Sequence, residues 1–184
     1  VNGVLGSLLD ALVPQVEAHV IGLGDVASVA RLVLIVTLVS ELLIAVVLSF
    51  RLHLGYGLGW AQAIWTGVFH AVSAFNNAGF SIHADSLVRY ASDGWILAPV
   101  MMGVIVGGIG FPVLHDLRAR GLSPRSWSLH TKLTLIGTVC LLVIGFALFL
   151  WFEADNPATL GPMPIASKLL NAAFASVSAR TAGF

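Results

Sequence analysis

Two short strings in this chain bring small, amide and hydroxyl residues together in a pattern that can do chemistry with the backbone itself. Residues 72–80 read VSAFNNAGF and residues 177–184 read VSARTAGF; with one residue dropped from the second, Val-Ser-Ala and Ala-Gly-Phe coincide. What such strings offer is oxygen. Backbone carbonyls, with the Asn77 amide or the Thr181 hydroxyl beside them, can replace the hydration shell of a dehydrated cation. Gly79 and Gly183 permit the backbone angles that line up carbonyls at a crowded axis, while Phe80 and Phe184 can pack behind. The first string holds no charged residue, so a ring of Asp or Glu is unsupported. The simpler alternative is that both strings are helix-breaking turns and that their match is accidental.

The elements that must position these strings belong to a membrane. The chain has 184 residues, 58% hydrophobic and 10% charged, with no formal net charge. Its mean hydropathy of +0.94 lies outside the range of a soluble domain. Balanced charge gives no nucleic-acid surface, and the positive residues matter by their location. Cys140, the sole cysteine, excludes an internal disulfide and a cysteine metal cage, and reads as a small apolar residue of a helix. No secretory leader pattern opens the sequence. Because it begins on Val1 and stops on Phe184, inside the second string, the expectation is an internal piece of a longer protein.

Residues 4–20 carry an apolar stripe with Asp10, Gln15, Glu17 and His19 off it and Pro14 within it. That pattern predicts an amphipathic connector over 1–28. Residues 29–50 are long and apolar enough for a first span. Gly55, Gly57 and Gly59 then break the pattern before a short apolar helix, Trp60–Phe75, which would reach only about 24 Å. It should enter the bilayer and stop. Further spans are predicted over 95–114 and 131–152, and a second short helix over 165–179 after a proline-rich turn. Between those two spans, Arg118, Arg120, Arg125 and Lys132 stand against Asp116 alone, which makes the loop 115–130 cytoplasmic by the positive-inside rule. Arg31 at the start of the first span, and Glu153 and Asp155 after the third, fit the same topology. The order is span, short helix, polar loop, span, connector, span, short helix, polar loop, which is a repeat. A loop behind a short helix can leave its carbonyls free only inside protein or around water, and the negative end of the helix dipole favours a cation there.

FNNAGF, RTAGF and the intervening GGIGFPVLHDL at 107–117 closely resemble the ion-translocating subunits of the Trk/Ktr/HKT superfamily of potassium transporters, most of all the bacterial members. The resemblance implies an all-α polytopic membrane protein built from span, pore helix and span, with re-entrant filter loops. By it, residues 29–114 correspond to the second of four repeats and 131–184 to the first part of the third. Carried over by position, the ion-binding filter comprises Asn77, Ala78, Gly79 and Phe80, with Asn76 just before it, and Thr181, Ala182, Gly183 and Phe184. Both strings depart from the TVGYG of potassium channels at most positions, so selectivity should be less strict. The resemblance further implies K+ as the transported ion with no cofactor in this chain, a cell-membrane location, a homodimer, and a cytosolic nucleotide-binding regulatory subunit. Two filters of four cannot close a four-fold pathway, so the 184-residue piece alone should not conduct.

The rivals are a sodium-permeable member of the same superfamily, a non-conducting membrane remnant, and an intramembrane enzyme. The last lacks a GxSxG or HExxH pattern. Among single residues, Glu41 sits where an ionisable group is costly; it reads either as an ion-pathway group or as a carboxyl bonded to a neighbouring helix. Gly103, Gly107, Gly108 and Gly110 form a small-residue stripe suited to close packing, with a hinge near Pro112 as the alternative. His70 reads as a satisfied packing residue. Arg180 can either brace the second string or lower cation occupancy beside it.

Overall fold

The computed structural model describes residues 23–121 and 123–184. Among them every regular element is helical and no strand occurs. The amphipathic connector expected over residues 4–20 lies outside the described residues. Helix α1, Leu23–Tyr56, takes in the last residues of the stretch 1–28. It runs on past residue 50 because Arg51 to Leu54 continue the helical pattern, and it ends where Gly57 takes a φ of +68°, which glycine adopts without strain. The described part of the unit 1–35 is the first stretch of this helix; the packing below belongs to the unit 36–184.

Helix α2, Trp60–Phe75, has the limits the sequence predicts. The span expected over 95–114 is corrected. Helix α3 covers Gly94–Ile109, and after Gly110, with φ +89°, a separate helix α4, Phe111–Arg120, leaves it at 87°. The cause is local: Pro112 has no N–H for a continuing ladder but suits the first turn of a new helix. At 16 residues α3 reaches about 24 Å, short of an apolar core of about 30 Å. Helix α5, Leu129–Glu153, starts at a Ser128 cap whose hydroxyl accepts from the Thr131 amide, and helix α6, Ile165–Val177, runs into a π-helical turn, Ser178–Ala182. Two described helices are long and apolar enough to cross a membrane, at Ala27–Tyr56 and Leu129–Glu153; the bent pair α3 and α4 makes a third if it counts as one span. Their outer faces leave Leu38, Leu42, Phe50, Leu133, Ile136 and Trp151 exposed, the face a bilayer would cover.

The buried core joins Ile44, Leu48 and Leu52 of α1, Ala63, Ala71 and Ala74 of α2, and Ile96, Leu97, Val100 and Val104 of α3. Small residues set its spacing. A Cβ on Gly67 would meet Ser49 and the Ala45 carbonyl, one on Gly103 would meet Ile44 and Ala74, and one on Gly107 would collide with the Phe75 carbonyl. The helices therefore approach backbone to side chain, as small residues allow in membranes. Buried Asp93 fastens the C-terminal end of α1 to the start of α3. Its Oδ1 accepts from the Trp95 amide at the start of α3 at 3.0 Å, and its Oδ2 accepts from Arg51 Nε at 2.7 Å and the Tyr56 hydroxyl at 3.0 Å, both on α1. On α6, Asn171 donates to the Ala91 carbonyl at 2.6 Å, and Ser176 donates to the Leu142 carbonyl of α5 at 2.8 Å.

Gly107→Val is expected to lower stability by about 3 kcal/mol, at the upper end of overpacking effects because the obstacle is a carbonyl. Gly137→Ala, where a Cβ meets nothing within 4 Å, is expected to stabilise by a few tenths to about 1 kcal/mol. Thermal unfolding of the two variants in detergent checks both signs.

Candidate functional site

The C-terminal end of α2 does not stop cleanly. The Asn76 amide bonds the Val72 carbonyl at 3.1 Å, and then the Ala78 amide reaches back five residues to the Ser73 carbonyl at 2.9 Å. Asn77 takes a φ of +53° and Gly79 one of +68°, so the backbone reverses twice between Asn76 and Phe80. Left-handed angles of this kind are uncommon outside glycine, with asparagine among the residues that tolerate them best. At the end of α6 the same construction recurs. The Gly183 amide reaches back five residues to the Ser178 carbonyl at 2.9 Å, and Gly183 takes a φ of +77°. The second string was expected to leave helical structure at Arg180. Instead Arg180, Thr181 and Ala182 lie in the π-helical turn, because the five-residue bond keeps the chain coiled until Gly183.

A pair of residues within the shared Val-Ser-Ala carries the likeness further. The hydroxyl of buried Ser73 donates to the Phe80 carbonyl at 2.8 Å, and that of buried Ser178 donates to the Phe184 carbonyl at 3.1 Å. Both serines belong to the shared Val-Ser-Ala, and both phenylalanines to the shared Ala-Gly-Phe. That coincidence was the available signal: a hydroxyl kept in both strings stands six or seven residues before the shared phenylalanine whose oxygen it bonds. Among the described residues no hydrogen bond ends on the carbonyls of Ala78, Gly79 or Ala182.

The structure brings the two turns together. A Cβ on Gly79 would collide with the Ala182 carbonyl, and the Thr181 hydroxyl donates to Asn77 Oδ1 at 2.6 Å. Gly108 of α3 lies beneath this pair: a Cβ there would sit 3.5 Å from Asn77 Oδ1 and 3.7 Å from Thr181 Oγ1. Arg180 Nη2 donates to the Gly108 carbonyl at 3.4 Å, a bracing contact at the edge of hydrogen-bond range. Asn76 faces elsewhere. Its amide donates to Glu41 Oε1 on α1 at 2.8 Å and to the Val72 carbonyl at 2.9 Å, so Glu41 has a bonded neighbour on the first turn.

Behind the first turn stands a polar column. His70 Nδ1–H donates to the Thr66 carbonyl at 2.8 Å, leaving Nε2 of the neutral ring to accept from the Ser81 hydroxyl at 3.0 Å. His83 stacks on His70 with ring centroids 5.6 Å apart and interplanar angle 24°, and its Nε2 lies 3.3 Å from the Tyr90 hydroxyl. In the loop beyond the turn, burial lowers the His83 pKa, the Arg89 guanidinium lowers it further, and Asp85 opposes both. The bond from Arg89 in turn holds Asp85 below the ordinary carboxylate value.

A lowered histidine favours folding only while neutral. The loop's stability from His83 is complete above the unfolded value of 6.5 and declines as pH falls from there toward the folded value. Amide hydrogen exchange over residues 81–90, corrected for intrinsic rates, should therefore be faster at about pH 5.5 than at about pH 7.5, and His83→Gln should remove the difference. His70, Tyr90, Asp85 and Arg89 are the titratable and charged groups around the ring.

Comparison with known proteins gives the geometry a family. Residues 7–184 match the family model TrkH, a cation transport protein. The Ktr system potassium uptake protein B of Bacillus subtilis (strain 168) is 40% identical over 162 residues, covering 88% of this chain and 36% of that protein. The protein of the same name from Vibrio alginolyticus is 38% identical over 154 residues, 80% of this chain and 32% of its own length. The potassium/sodium uptake protein NtpJ of Enterococcus hirae is 40% identical over 126 residues, 68% of this chain and 28% of its own. The chain thus spans about a third of the length of these relatives. Its apolar helices make it a membrane protein, and it belongs to the TrkH family of cation transport proteins.

Proposed function

We propose that this chain supplies two backbone-lined turns of a potassium pathway across the cell membrane. The observation that carries the reading is the meeting of the two like-built turns, with Gly79 against the Ala182 carbonyl and Asn77 bonded to Thr181. Carbonyls that no protein donor occupies, at the negative ends of short helices, are suited to a dehydrated cation. In this reading α2 and α6 are pore helices, and the loops behind them re-enter the membrane. Ala78, Gly79, Ala182 and Gly183 contribute main-chain oxygens, Phe80 and Phe184 contribute theirs beside the serine hydroxyl each accepts, Asn77 and Thr181 contribute side chains as well, and Asn76 anchors the first turn to Glu41. No covalent chemistry is involved. The repeat units are 29–114 and 131–184, joined by a cytoplasmic loop, 115–130.

The names of two relatives, each a Ktr system potassium uptake protein, support K+ as the ion and membership of a system with further components. Those components are, by the resemblance, a second copy of the subunit and a cytosolic nucleotide-binding regulator. The relative named for both potassium and sodium uptake makes sodium the competitor to test.

Rubidium uptake into potassium-uptake-deficient cells is the decisive assay, with this sequence expressed in its complete reading frame together with the regulatory subunit. Wild type should take up rubidium, and Gly79→Asp, at equal membrane abundance, should lower uptake at least about tenfold, because any side chain there collides with the second turn. Equal uptake by both would reduce the two strings to turns without a role in permeation. Absence of uptake in either would identify a non-conducting remnant.

A further inference from the structure

The stretch between α4 and α5 gathers more positive charge than it neutralises. After α4 leaves α3 at 87°, the chain folds back on itself: Trp127 Nε1 donates to the Gly121 carbonyl at 2.8 Å, and the Ser128 amide donates to Asp116 Oδ2 at 2.9 Å. The start of α5 therefore lies beside the middle of α4. Asp116 is the one acid between Asp93 and Glu153, and it is already engaged, with Oδ1 2.6 Å from Arg120 Nε and Oδ2 on the Ser128 amide. Arg118 and Arg125 are exposed and Lys132 is half-buried. Among the described residues none of the three has a hydrogen-bond or ion-pair partner. Three cations on one folded stretch are left without a counter-charge.

The depth of this patch follows from its neighbours. On the first turns of α5, Leu129 is 72% exposed, Leu133 63% and Ile136 62%, an apolar face of the kind a membrane covers. Because that face begins with the first residue of α5, the chain just before it stands at headgroup depth. Trp127, half-buried there, is of a type enriched at that boundary. The anions concentrated at this depth are lipid phosphates. A guanidinium meets a phosphate with two parallel N–H groups, and a lysine meets it as a point charge. A zwitterionic headgroup brings its own ammonium, which the three cations repel.

We infer that Arg118, Arg125 and Lys132 form a binding surface for anionic phospholipid, holding phosphodiester headgroups whose charge no amine cancels. The headgroups tie the fold between α4 and α5 to the bilayer surface. This surface lies beyond the potassium reading and does not depend on it.

The test uses the complete reading frame, purified and reconstituted in phosphatidylcholine vesicles with and without phosphatidylglycerol. Quenching of Trp127 fluorescence by brominated phosphatidylglycerol, against brominated phosphatidylcholine, reads which lipid occupies the patch, with Trp127→Phe as the blank. Wild type at about 0.1 M salt should favour phosphatidylglycerol about tenfold. The combined variant Arg118→Gln, Arg125→Gln and Lys132→Gln should lose that preference, whereas Arg118→Lys with Arg125→Lys should keep most of it. Arg89→Gln, beyond the other end of α3, should change nothing. Raising salt to about 1 M, where charges are felt over only about 3 Å instead of about 10 Å, should also abolish the preference in wild type. Equal quenching by both lipids at low salt overturns the inference, as does a preference that survives the combined variant or the high salt. If the combined variant fails to insert, the wild-type salt series alone decides. Equal quenching together with loss of the regulatory subunit on co-purification of the combined variant would assign the patch to a protein partner instead. No readout here is transport, so failure of the potassium reading leaves the inference standing.

Discussion

The Phe75 carbonyl lies so close to Gly107 that no side chain fits between them. It sits where α2 ends, so the depth and angle at which the first turn begins are set by how near α3 can come. Gly103, one helical turn earlier, keeps the same seam narrow against Ile44 and Ala74. Van der Waals contact, rather than water exclusion, must hold such a seam in a bilayer, because lipid tails compete equally well for apolar side chains. Small residues answer that demand by bringing backbone into contact. The turn then inherits its position from a contact between main-chain atoms, which have far less freedom than side chains.

A second requirement is that polar backbone in an apolar setting be satisfied. The molecule meets it selectively. The reach of the Ala78 and Gly183 amides over five residues consumes the Ser73 and Ser178 carbonyls, and the serine hydroxyls consume the Phe carbonyls. Asp93 does similar work where α1 ends and α3 begins, taking a helix cap, a guanidinium and a phenol on one carboxylate. Among the described residues the carbonyls of Ala78, Gly79 and Ala182 are left without a protein donor. The meeting of Gly79 with Ala182 separates these turns from the break at Gly57, where the backbone reverses with nothing within 4 Å of a Cβ.

Much of this was legible in the order of residues. The limits of α2 followed from Gly59 before Trp60 and the asparagines after Phe75, where a glycine and a turn-forming pair bracket an unbroken apolar run. The likeness of the two turns was legible because their strings share residues that turns need. The break at Gly110 was legible only as the alternative hinge near Pro112: apolar residues continue on both sides of it, and hydropathy alone cannot distinguish a straight span from two helices at 87°. The bond between Thr181 and Asn77 joins residues 104 apart and lies beyond any local pattern. The serine tethers fell between these cases. Their residues were visible in both strings, but a hydroxyl that bonds forward over a turn breaks the backward habit that serine follows within a helix.

The two turns differ by one residue: seven positions separate Ser73 from its carbonyl partner and six separate Ser178 from its own. In a ring assembled from identical subunits, every substitution is copied around the axis, and a ligand cage can change only in symmetrical steps. Here the corresponding positions lie on a single polypeptide and hold different side chains, asparagine in one turn and threonine in the other. Each can drift on its own. In the proposed filter a change at one turn would spare the other, so affinity could be graded in increments that a perfectly symmetric ring has no means of making.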